Sequence, residues 1–345
     1  MPIDTTSELL QKLQQKAYSR IAITTHHKPD GDAMGSSLGL AALLQGFCQQ
    51  VQVITPTDYA DTYQWLPGND KVWVYEGMEA QSEAYLASCD AVFCLDFNRL
   101  SRINFLGEVV RELKCDKIMI DHHLEVEEFY HYALWDTRAS STCELIFDFY
   151  QKLTGAKLSL DAATCLYTGM MTDTGHFQYA NTTPHTLKVA AELLAMGVDQ
   201  VAIRERIFDS FSADRSRLFG YCLHEKMQLL AGGQVALIYL SAEELQRFNV
   251  QTGDTEGLVN FGLNIKGVRM SALVIDRTER VKMSFRSKGD IAVNEYSAQW
   301  FSGGGHKSAA GGQSEDSLEN TVALFKKTVV EFQSSAISFE RHQPR

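Results

Sequence analysis

Four short clusters of acidic and histidine side chains, placed near the ends of predicted strands and helices, constrain the fold of this chain most strongly. The first cluster, HHKPDGD at residues 26–32, directly follows a predicted strand at residues 21–25. The others are Asp96, the triplet at residues 121–123 and Asp173. In an α/β protein, loops after parallel strands share one edge of the sheet, where ligand sites form. The pattern therefore predicts a single polar site on an α/β domain.

The hydrophobic pattern of the first half supports this fold class. Short apolar runs predict strands at residues 21–25, 51–54, 91–95 and 117–120. Between them, amphipathic stretches predict helices at residues 6–18, 34–47, 101–113 and 140–153. Strands that alternate with helices predict a doubly wound, mostly parallel sheet.

The length of 345 residues exceeds what one hydrophobic core usually supports, so two domains are expected. We predict a first domain at 1–195 that carries the four clusters, a charged helical connector at 196–220 and a smaller α/β domain at 221–345. In the last of these, strands are predicted at residues 235–240, 269–275 and 281–286, followed by a glycine-rich loop and a helix at 317–332.

Composition excludes several classes of protein. The seven cysteines are scattered and form no CxxC pair, which argues against a disulfide framework or a zinc ribbon. There is no signal-peptide pattern and no apolar run of the roughly 20 residues that span a bilayer. The net charge of −11 argues against a surface that coats long nucleic acids. We therefore expect a soluble, cytoplasmic protein that acts neither on membranes nor on long duplexes.

The first cluster has the composition of a cation site. His26, Asp30 and Asp32 are spaced i, i+4 and i+6, which suits a loop better than one face of a helix, and Pro29 and Gly31 support a loop. Carboxylates and imidazoles without a thiolate favour Mn²⁺, or alternatively Mg²⁺ or Fe²⁺, over structural zinc. Taken alone, the cluster is also compatible with a turn that exposes solvated acids.

Each of the other clusters also has a structural explanation when taken singly. Asp96 ends a predicted strand, where aspartate often caps a helix or forms a turn. Asp173 ends a helix-like stretch, and two histidines after Asp121 are unremarkable on a surface loop. Their conjunction in one α/β domain favours a site for two divalent cations. Two such ions about 3.5–4 Å apart can generate hydroxide from water and clamp phosphate oxygens.

The second domain concentrates positive charge near its glycines. Residues 266–307 hold eight Lys or Arg against four Asp or Glu, a balance of +4. Three consecutive glycines at 303–305 allow close approach to the backbone, and free N–H groups before a helix favour an anion. Arg286 and His306 are candidates to hold a phosphate that does not react. A solvated basic strand beside a flexible turn explains the same composition.

With these residues in view, the chain resembles the DHH phosphoesterases, named for the triplet found at residues 121–123. The motif His-x-x-x-Asp-x-Asp appears at residues 26–32, and GGGHKSAAG at residues 303–311 is similar to the signature of the associated C-terminal domain. The two-domain layout is most similar to the bacterial nanoRNase and 3′-phosphoadenosine-5′-phosphate (pAp) phosphatase group. The resemblance covers nearly the whole chain.

The resemblance implies a role for each residue of the first domain's motifs. One Mn²⁺ would be held by His26, Asp30 and Asp96. The other would be held by Asp32, Asp96, His122 and Asp173, so that Asp96 bridges the pair. The resemblance also implies that His123 contacts the scissile phosphate or protonates the leaving oxygen. Asp121 would orient an imidazole.

The resemblance also implies the substrate. Similar chains bind the terminal nucleotide through segments that correspond here to Arg286, Ser287, Gly303, Gly304, Gly305 and His306. Arg102 is a further phosphate-contact candidate, or else an ordinary arginine on a helix surface. The expected substrates are short single-stranded oligoribonucleotides, cleaved to mononucleotides, and pAp, cleaved to AMP. The family also allows a homodimer, although no heptad pattern predicts an interface.

Several alternatives share parts of this pattern. A cyclic-dinucleotide phosphodiesterase, for example for cyclic di-AMP, uses the same chemistry and is the nearest alternative. Inorganic pyrophosphatases of family II resemble only the first domain, and exopolyphosphatases fit less well. A RecJ-type exonuclease usually has an additional nucleic-acid-binding domain. A non-catalytic nucleotide sensor would be expected to lack metal ligands, and none is missing from the motifs.

Overall fold

The computed structural model describes residues 2–208, 212–251 and 253–340. The chain forms two compact units, Met1–Ser210 and Phe211–Arg345. Each unit has its own sheet, with a hydrophobic core on either face. The predicted connector at 196–220 contains two helices that belong to different units. The limits predicted at 195 and 221 remain a prediction.

The sheet of the first unit has seven strands. They are β1 (Ile3–Asp4), β2 (Arg20–Thr25), β3 (Gln50–Thr55), β4 (Trp73–Val74), β5 (Ala91–Leu95), β6 (Asp116–Asp121) and β7 (Tyr132–Trp135). Their order is β1-β7-β6-β5-β2-β3-β4, and every neighbouring pair is parallel except β1 with β7. The predicted mostly parallel sheet is confirmed.

Within the described residues, eight α-helices accompany this sheet. They are α1 (Ser7–Gln14), α2 (Gly31–Leu44), α3 (Glu79–Ala87), α4 (Leu106–Glu112), α5 (Thr142–Thr154), α6 (Leu160–Asp173), α7 (Pro184–Ala195) and α8 (Gln200–Phe208). Side chains of a strand alternate between the two faces of the sheet. In β2, Ile21 and Ile23 pack in one core and Ala22 in another, so both faces are covered, as in a doubly wound fold.

One predicted helix of the first unit is interrupted. Residues 101–113 were expected to be continuous, but a 3₁₀ turn at Leu100–Ile103 precedes α4. Asn104 separates the two with φ 51° and ψ −138°, a conformation that no helix contains. The hydrophobic pattern missed β1 and β4 because each has only two residues, too few to show a period.

The second unit has a six-stranded sheet. Its strands are β8 (Gln228–Leu230), β9 (Val235–Leu240), β10 (Met270–Asp276), β11 (Val281–Ser287), β12 (Gly304–His306) and β13 (Ala309–Ser314), in the order β12-β13-β11-β10-β9-β8. Only β9 with β10 is parallel among these pairs. The helices are α9 (Ala213–Tyr221), α10 (Ala242–Arg247), α11 (Leu258–Leu263), α12 (Val293–Trp300) and α13 (Leu318–Glu340), with a π-helical turn at Cys222–Lys226.

The glycine-rich segment differs from its prediction. We expected a loop ahead of a helix, but residues 304–306 form β12, which follows α12 and pairs with β13. A Cβ atom at Gly303 would lie 2.0 Å from the carbonyl oxygen of Gly311, so this glycine permits the close approach of two backbones. The expectation of free N–H groups at a helix start was therefore wrong for this segment.

No helix in the described part of the chain combines the length and apolar character needed to cross a bilayer.

Candidate metal centre

Three neighbouring strands place half of the candidate ligands. In the order β6-β5-β2, each strand runs parallel to the next, so their carboxyl ends meet at one edge. His26 directly follows β2, Asp96 directly follows β5, and His122 directly follows β6. The strands therefore bring these side chains together from positions up to 96 residues apart in the sequence.

The start of α2 places two further acids. Asp30 is the N-cap of α2, and its carboxylate accepts hydrogen bonds from the backbone N–H groups of Asp32, at 3.0 Å, and Ala33, at 3.1 Å. Because this cap starts the helix at Gly31, Asp32 lies in the first helical turn. The predicted loop therefore ends at residue 30, two residues earlier than expected, since the sequence pattern did not reveal the cap.

The close packing of α2 against α6 brings Asp32 and Asp173 towards each other. A Cβ atom at Gly35 would lie 2.5 Å from the carbonyl oxygen of Cys165, and one at Gly169 would lie 3.0 Å from the Cα atom of Asp32. Glycines at these positions therefore let the two helix backbones approach directly. Asp173, the last residue of α6, is carried by the turn that follows Gly169.

Asp96 lies at the centre of the cluster. Only 2 % of it is exposed, and its Oδ2 atom is 3.5 Å from Nε2 of His26. Its other oxygen, Oδ1, is 3.5 Å from Nε2 of His122 and 3.7 Å from Nδ1 of His123. The residue has φ 64°, a left-handed conformation that costs a non-glycine residue about 1–3 kcal/mol and is typical of functional sites.

The six predicted ligands form two adjoining groups that share Asp96. Ligand atoms of His26, Asp30 and Asp96 lie within 4.8 Å of one another, as do those of Asp32, Asp96 and His122. Asp173 joins the second group, because its Oδ2 atom is 3.7 Å from Nε2 of His122. Spacings of this size are those of side chains that can surround a cation.

Each imidazole among the predicted ligands has a backbone carbonyl oxygen next to its Nδ1 atom. Nδ1 of His26 is 2.9 Å from the carbonyl oxygen of His27, and Nδ1 of His122 is 3.3 Å from that of Ala139. A carbonyl can only accept, so each Nδ1 carries a hydrogen, and in its neutral form each ring would present the lone pair of Nε2 to the cluster. Both rings therefore have the tautomer that a cation requires.

The electrostatics of the cluster also fit a cation. Burial, and then the charges of Asp96 and Asp173, raise the pKa of Asp32 well above its usual range. Burial raises the pKa of Asp173 to about 6. Burial alone would lower the pKa of His122, but contact with the carboxylates of Asp96 and Asp173 raises it well above its usual range. The cluster has an excess of buried negative charge, which divalent cations would balance, and its oxygen and nitrogen donors suit such ions.

Asp121 and His123 form a pair beside the cluster. Asp121 is fully buried at the end of β6, and its Oδ1 atom is 2.8 Å from Nδ1 of His123. His123 also packs edge-on against His122, with ring centroids 4.9 Å apart. Since Nδ1 faces Asp121, the Nε2 atom of His123 is the nitrogen that can act on another group.

Sequence reasoning missed two residues that support the ligands. The Thr142 hydroxyl donates to Oδ1 of Asp96 at 2.9 Å, and its backbone N–H donates to Oδ2 of Asp32 at 2.6 Å. The amide of Asn181 donates to the carbonyl oxygen of Asp173 at 3.3 Å. The N-cap of α5, Ser141, with Glu144 three residues later, is a helix-start signal that the sequence does contain. Nothing in the sequence indicates what these groups contact.

Arg102, predicted either to contact phosphate or to be an ordinary arginine on a helix surface, contacts the loop that carries His26 through its backbone. It lies in the 3₁₀ turn Leu100–Ile103, and its carbonyl oxygen accepts from the backbone N–H of His27 at 2.8 Å. Nδ1 of His27 is 2.9 Å from the same oxygen. The Nε atom of Arg102 is buried and has no hydrogen-bond partner among the described residues. The turn is thereby fastened to the loop that carries His26.

The remaining predicted substrate residues lie in the second unit. Arg286 and Ser287 are the last two residues of β11, and His306 is the last of β12. Arg286 donates to the carbonyl oxygen of Phe285 at 2.9 Å, and Ser287 donates through its hydroxyl to that of Ile291 at 2.7 Å. Gly304 pairs with Gly311 across β12 and β13. Their part in substrate binding stays a prediction.

Comparisons with known proteins identify both halves of the chain. Residues 20–170 match the model of the DHH family, N-terminal domain, and residues 232–334 match the DHHA1 domain. A Streptococcus mutans protein named probable bifunctional oligoribonuclease and PAP phosphatase NrnA is 33% identical over 88% of this chain and 93% of its own length. Its Bacillus subtilis counterpart is 30% identical over 85% and 89%. A protein described as exopolyphosphatase-related, from Bacteroides fragilis, has a crystal structure that is 36% identical in sequence, with a TM-score of 0.90 over 95% of this chain and 96% of that one.

Proposed function

This chain belongs to the DHH family, and we propose that it hydrolyses short oligoribonucleotides to mononucleotides and pAp to AMP. One observation carries the proposal: the buried carboxylate of Asp96 lies between two groups of oxygen and nitrogen donors. The names of the Streptococcus mutans and Bacillus subtilis relatives support this choice of substrates.

The proposed ligand sets follow the two groups. His26, Asp30 and Asp96 would hold one cation, and the other would be held by Asp32, Asp96, His122 and Asp173. We propose Mn²⁺ in both sets, because neither contains a thiolate. When bound, two divalent cations supply positive charge to the phosphate oxygens and lower the pKa of a water molecule.

His123 is the proposed general acid. Asp121 holds its Nδ1 atom at 2.8 Å, which directs Nε2 away from the buried acid. A proton at Nε2 would pass to the leaving oxygen as the phosphorus–oxygen bond breaks, which typically contributes 10²–10⁴-fold to the rate. Asp121 would stabilise the charged imidazole and fix its orientation, as a positioning residue.

We propose that substrate choice depends on Arg102 and on residues of the second unit. Arg102 is proposed to contact a phosphate, because its turn is bonded to the loop that carries His26 and its Nε atom has no hydrogen-bond partner among the described residues. The proposed binders of the terminal nucleotide are Arg286, Ser287, Gly303, Gly304, Gly305 and His306. Arginine at such a site can bind a phosphate through two parallel hydrogen bonds.

We also propose that the chain acts in the cytoplasm and can form a homodimer. All seven cysteines are unpaired in the structure, which suits a reducing compartment. Light scattering at several protein concentrations tests the dimer directly. A mass that stays at one chain over the whole range would contradict it.

Turnover tests the proposal. Purified protein is assayed with Mn²⁺ on pAp, a linear diribonucleotide, a longer oligoribonucleotide and cyclic di-AMP. The double variant Asp121→Ala/His122→Ala should abolish activity. Asp148 and His185 form a matched acid–histidine pair 3.0 Å apart and partly exposed, so Asp148→Ala/His185→Ala should leave activity unchanged.

The pattern of substrates decides between functions. Preference for pAp and the short linear RNA, lost only in the site variant, supports the proposal. Dominant cleavage of cyclic di-AMP would replace it with second-messenger turnover. No hydrolysis of any of the four substrates would contradict it.

A further inference from the structure

A single short segment, residues 139–144, contacts three of the four ligands proposed for the second cation. The carbonyl oxygen of Ala139 faces Nδ1 of His122 at 3.3 Å. Thr142 donates through its hydroxyl to Oδ1 of Asp96 at 2.9 Å. The backbone N–H groups at the start of α5 donate to Asp32. Ligands from β5, β6 and α2 therefore share one supporting segment.

The start of α5 fixes the carboxylate of Asp32. The backbone N–H of Thr142 donates to Oδ2 at 2.6 Å, and that of Cys143 donates to Oδ1 at 3.0 Å. Each oxygen of Asp32 thus accepts one amide of the first turn, whose N–H groups have no partner within the helix. Ser141 caps a third amide, that of Glu144. The carboxylate is held at both oxygens by backbone.

The Thr142 side chain fixes one oxygen of Asp96. Thr142 is fully buried, and its branched Cβ restricts χ1 to few rotamers. Its hydroxyl reaches Oδ1, the oxygen that also lies 3.5 Å from Nε2 of His122. The opposite oxygen, Oδ2, faces His26 and receives nothing from Thr142. The hydroxyl therefore acts on the side of Asp96 that belongs to the second ligand set.

The supporting segment is itself anchored. The buried carboxylate of Glu144 accepts from the hydroxyl of Ser140 and from that of Thr186, both at 2.6 Å to Oε2. The amide of Asn181 donates to the carbonyl oxygen of Ser140 at 3.0 Å. These bonds connect the segment to the loop after Asp173 and to α7. The segment that carries Thr142 is therefore held in place from two sides.

We propose that Thr142 is a positioning residue that determines how tightly the second cation is held, without contacting that cation. The inference rests on the proposed ligand sets, and it deepens the proposed function by assigning separate control to one of the two cations. Its consequence is selective. Removing the hydroxyl should weaken the cation at Asp32, Asp96, His122 and Asp173 and spare the one at His26, Asp30 and Asp96.

Titration of metal-free protein with Mn²⁺, followed by calorimetry and by electron paramagnetic resonance, tests this without substrate. Thr142→Val keeps the shape and the backbone N–H but removes the hydroxyl. One of two binding steps should weaken by about 10–100-fold, the usual effect of losing an outer partner of a ligand. Thr142→Ser keeps the hydroxyl and should bind as the wild type does.

Thr168→Val is the matched control. Thr168 is equally buried, but its hydroxyl donates to the carbonyl oxygen of Thr164 within α6 and not to a ligand. This variant should show two wild-type binding steps. If Thr142→Val does not fold, as judged by circular dichroism, Thr142→Ala removes the same hydroxyl with less demand on packing.

Three results would overturn the proposal. They are wild-type affinity at both steps in Thr142→Val, equal weakening of both steps, and a wild-type protein that binds fewer than two ions. Failure of the proposed function is a separate result. If the protein binds two Mn²⁺ with the predicted selectivity but hydrolyses neither pAp nor short RNA, the role of Thr142 is supported and the proposed function is contradicted.

Discussion

The Nδ1 atom of His123 lies 2.8 Å from Oδ1 of Asp121, a carboxylate with no exposed surface. The second oxygen of Asp121, Oδ2, is buried without a hydrogen-bond partner in the described part of the chain. Among the described residues, the side chain of this acid therefore bonds only to one imidazole. A buried carboxylate that bonds to a single imidazole in this way fixes the orientation of the ring.

Replacing the histidine of this pair should slow turnover and leave the affinity for metal nearly unchanged. In His123→Gln the cluster keeps all six proposed ligands but loses the proton donor. We expect kcat on pAp to fall by about 10²–10⁴-fold, with Mn²⁺ affinity within a few fold of wild type. Steady-state kinetics and calorimetry on the same preparation measure both. A parallel loss of Mn²⁺ would instead make His123 a ligand.

Metal removal should destabilise the fold. The buried acids around Asp96 repel one another unless cations are present, and a ligand that binds only the folded state adds about 2.7 kcal/mol at 100 times its Kd. Chelation should therefore lower the melting temperature, and Mn²⁺ should restore it. In Asp96→Asn, which removes the charge shared by both sets, the melting temperature should respond far less to either treatment. Differential scanning fluorimetry with and without chelator checks this, and an equal response of both proteins would contradict it.

The sequence indicated the proposed ligands because the signals that point to them are local. His26 and Asp96 follow apolar strands that the hydrophobic pattern predicts. Parallel strands bring the residues that follow them to one edge of the sheet. The supporting residues had no such signal. Thr142 lies 110 residues from Asp32 and 46 from Asp96, and hydrogen bonds over these separations exist only once the chain has folded.

The glycine-rich segment shows a second limit of prediction from the sequence, because its local pattern is compatible with two structures. Three glycines permit a phosphate-binding turn and also permit tight pairing of strands, and composition does not distinguish the two. The structure uses Gly303 for close approach to Gly311 and places Gly304 in β12. The same residue type in α2 went unnoticed, because Gly35 is required by a contact with α6 that no local pattern reports.

That contact can be tested directly. In Gly35→Ala the new Cβ atom would meet the carbonyl oxygen of Cys165 at 2.5 Å, so α2 and α6 must separate. We expect a loss of about 1–3 kcal/mol in stability, typical of overpacking, together with weaker Mn²⁺ binding as Asp32 and Asp173 move apart. Gly46→Ala, with no atom within 4 Å, is the control and should match wild type. Urea unfolding and Mn²⁺ titration measure the two effects, and a fully stable Gly35→Ala would refute the role of the contact.

The amino end of β6 carries a polar cluster at the opposite edge of the sheet, and it should stabilise the fold in a pH-dependent way. Oδ2 of Asp116 accepts from Nζ of Lys12 at 2.9 Å and from the hydroxyl of Tyr18 at 2.5 Å. Burial opposes ionisation, but these two donors outweigh it and lower the pKa of Asp116. Because the folded pKa lies below the unfolded one, the carboxylate stabilises the fold above the unfolded pKa of about 3.9. That stabilisation is lost as the pH falls through the folded pKa.

Asp116→Asn should therefore be less stable than wild type at pH 7, by about 1–3 kcal/mol for hydrogen bonds to a charged group. The difference should shrink as the pH is lowered from 5 towards 2, because the wild type then loses the same charge. Urea unfolding of both proteins across this range measures it. The value of kcat at pH 7 should be unchanged, since Asp116 and the proposed ligands lie at opposite ends of the strands. A stability difference that stays constant down to pH 2 would mean that shape and not charge matters at this position.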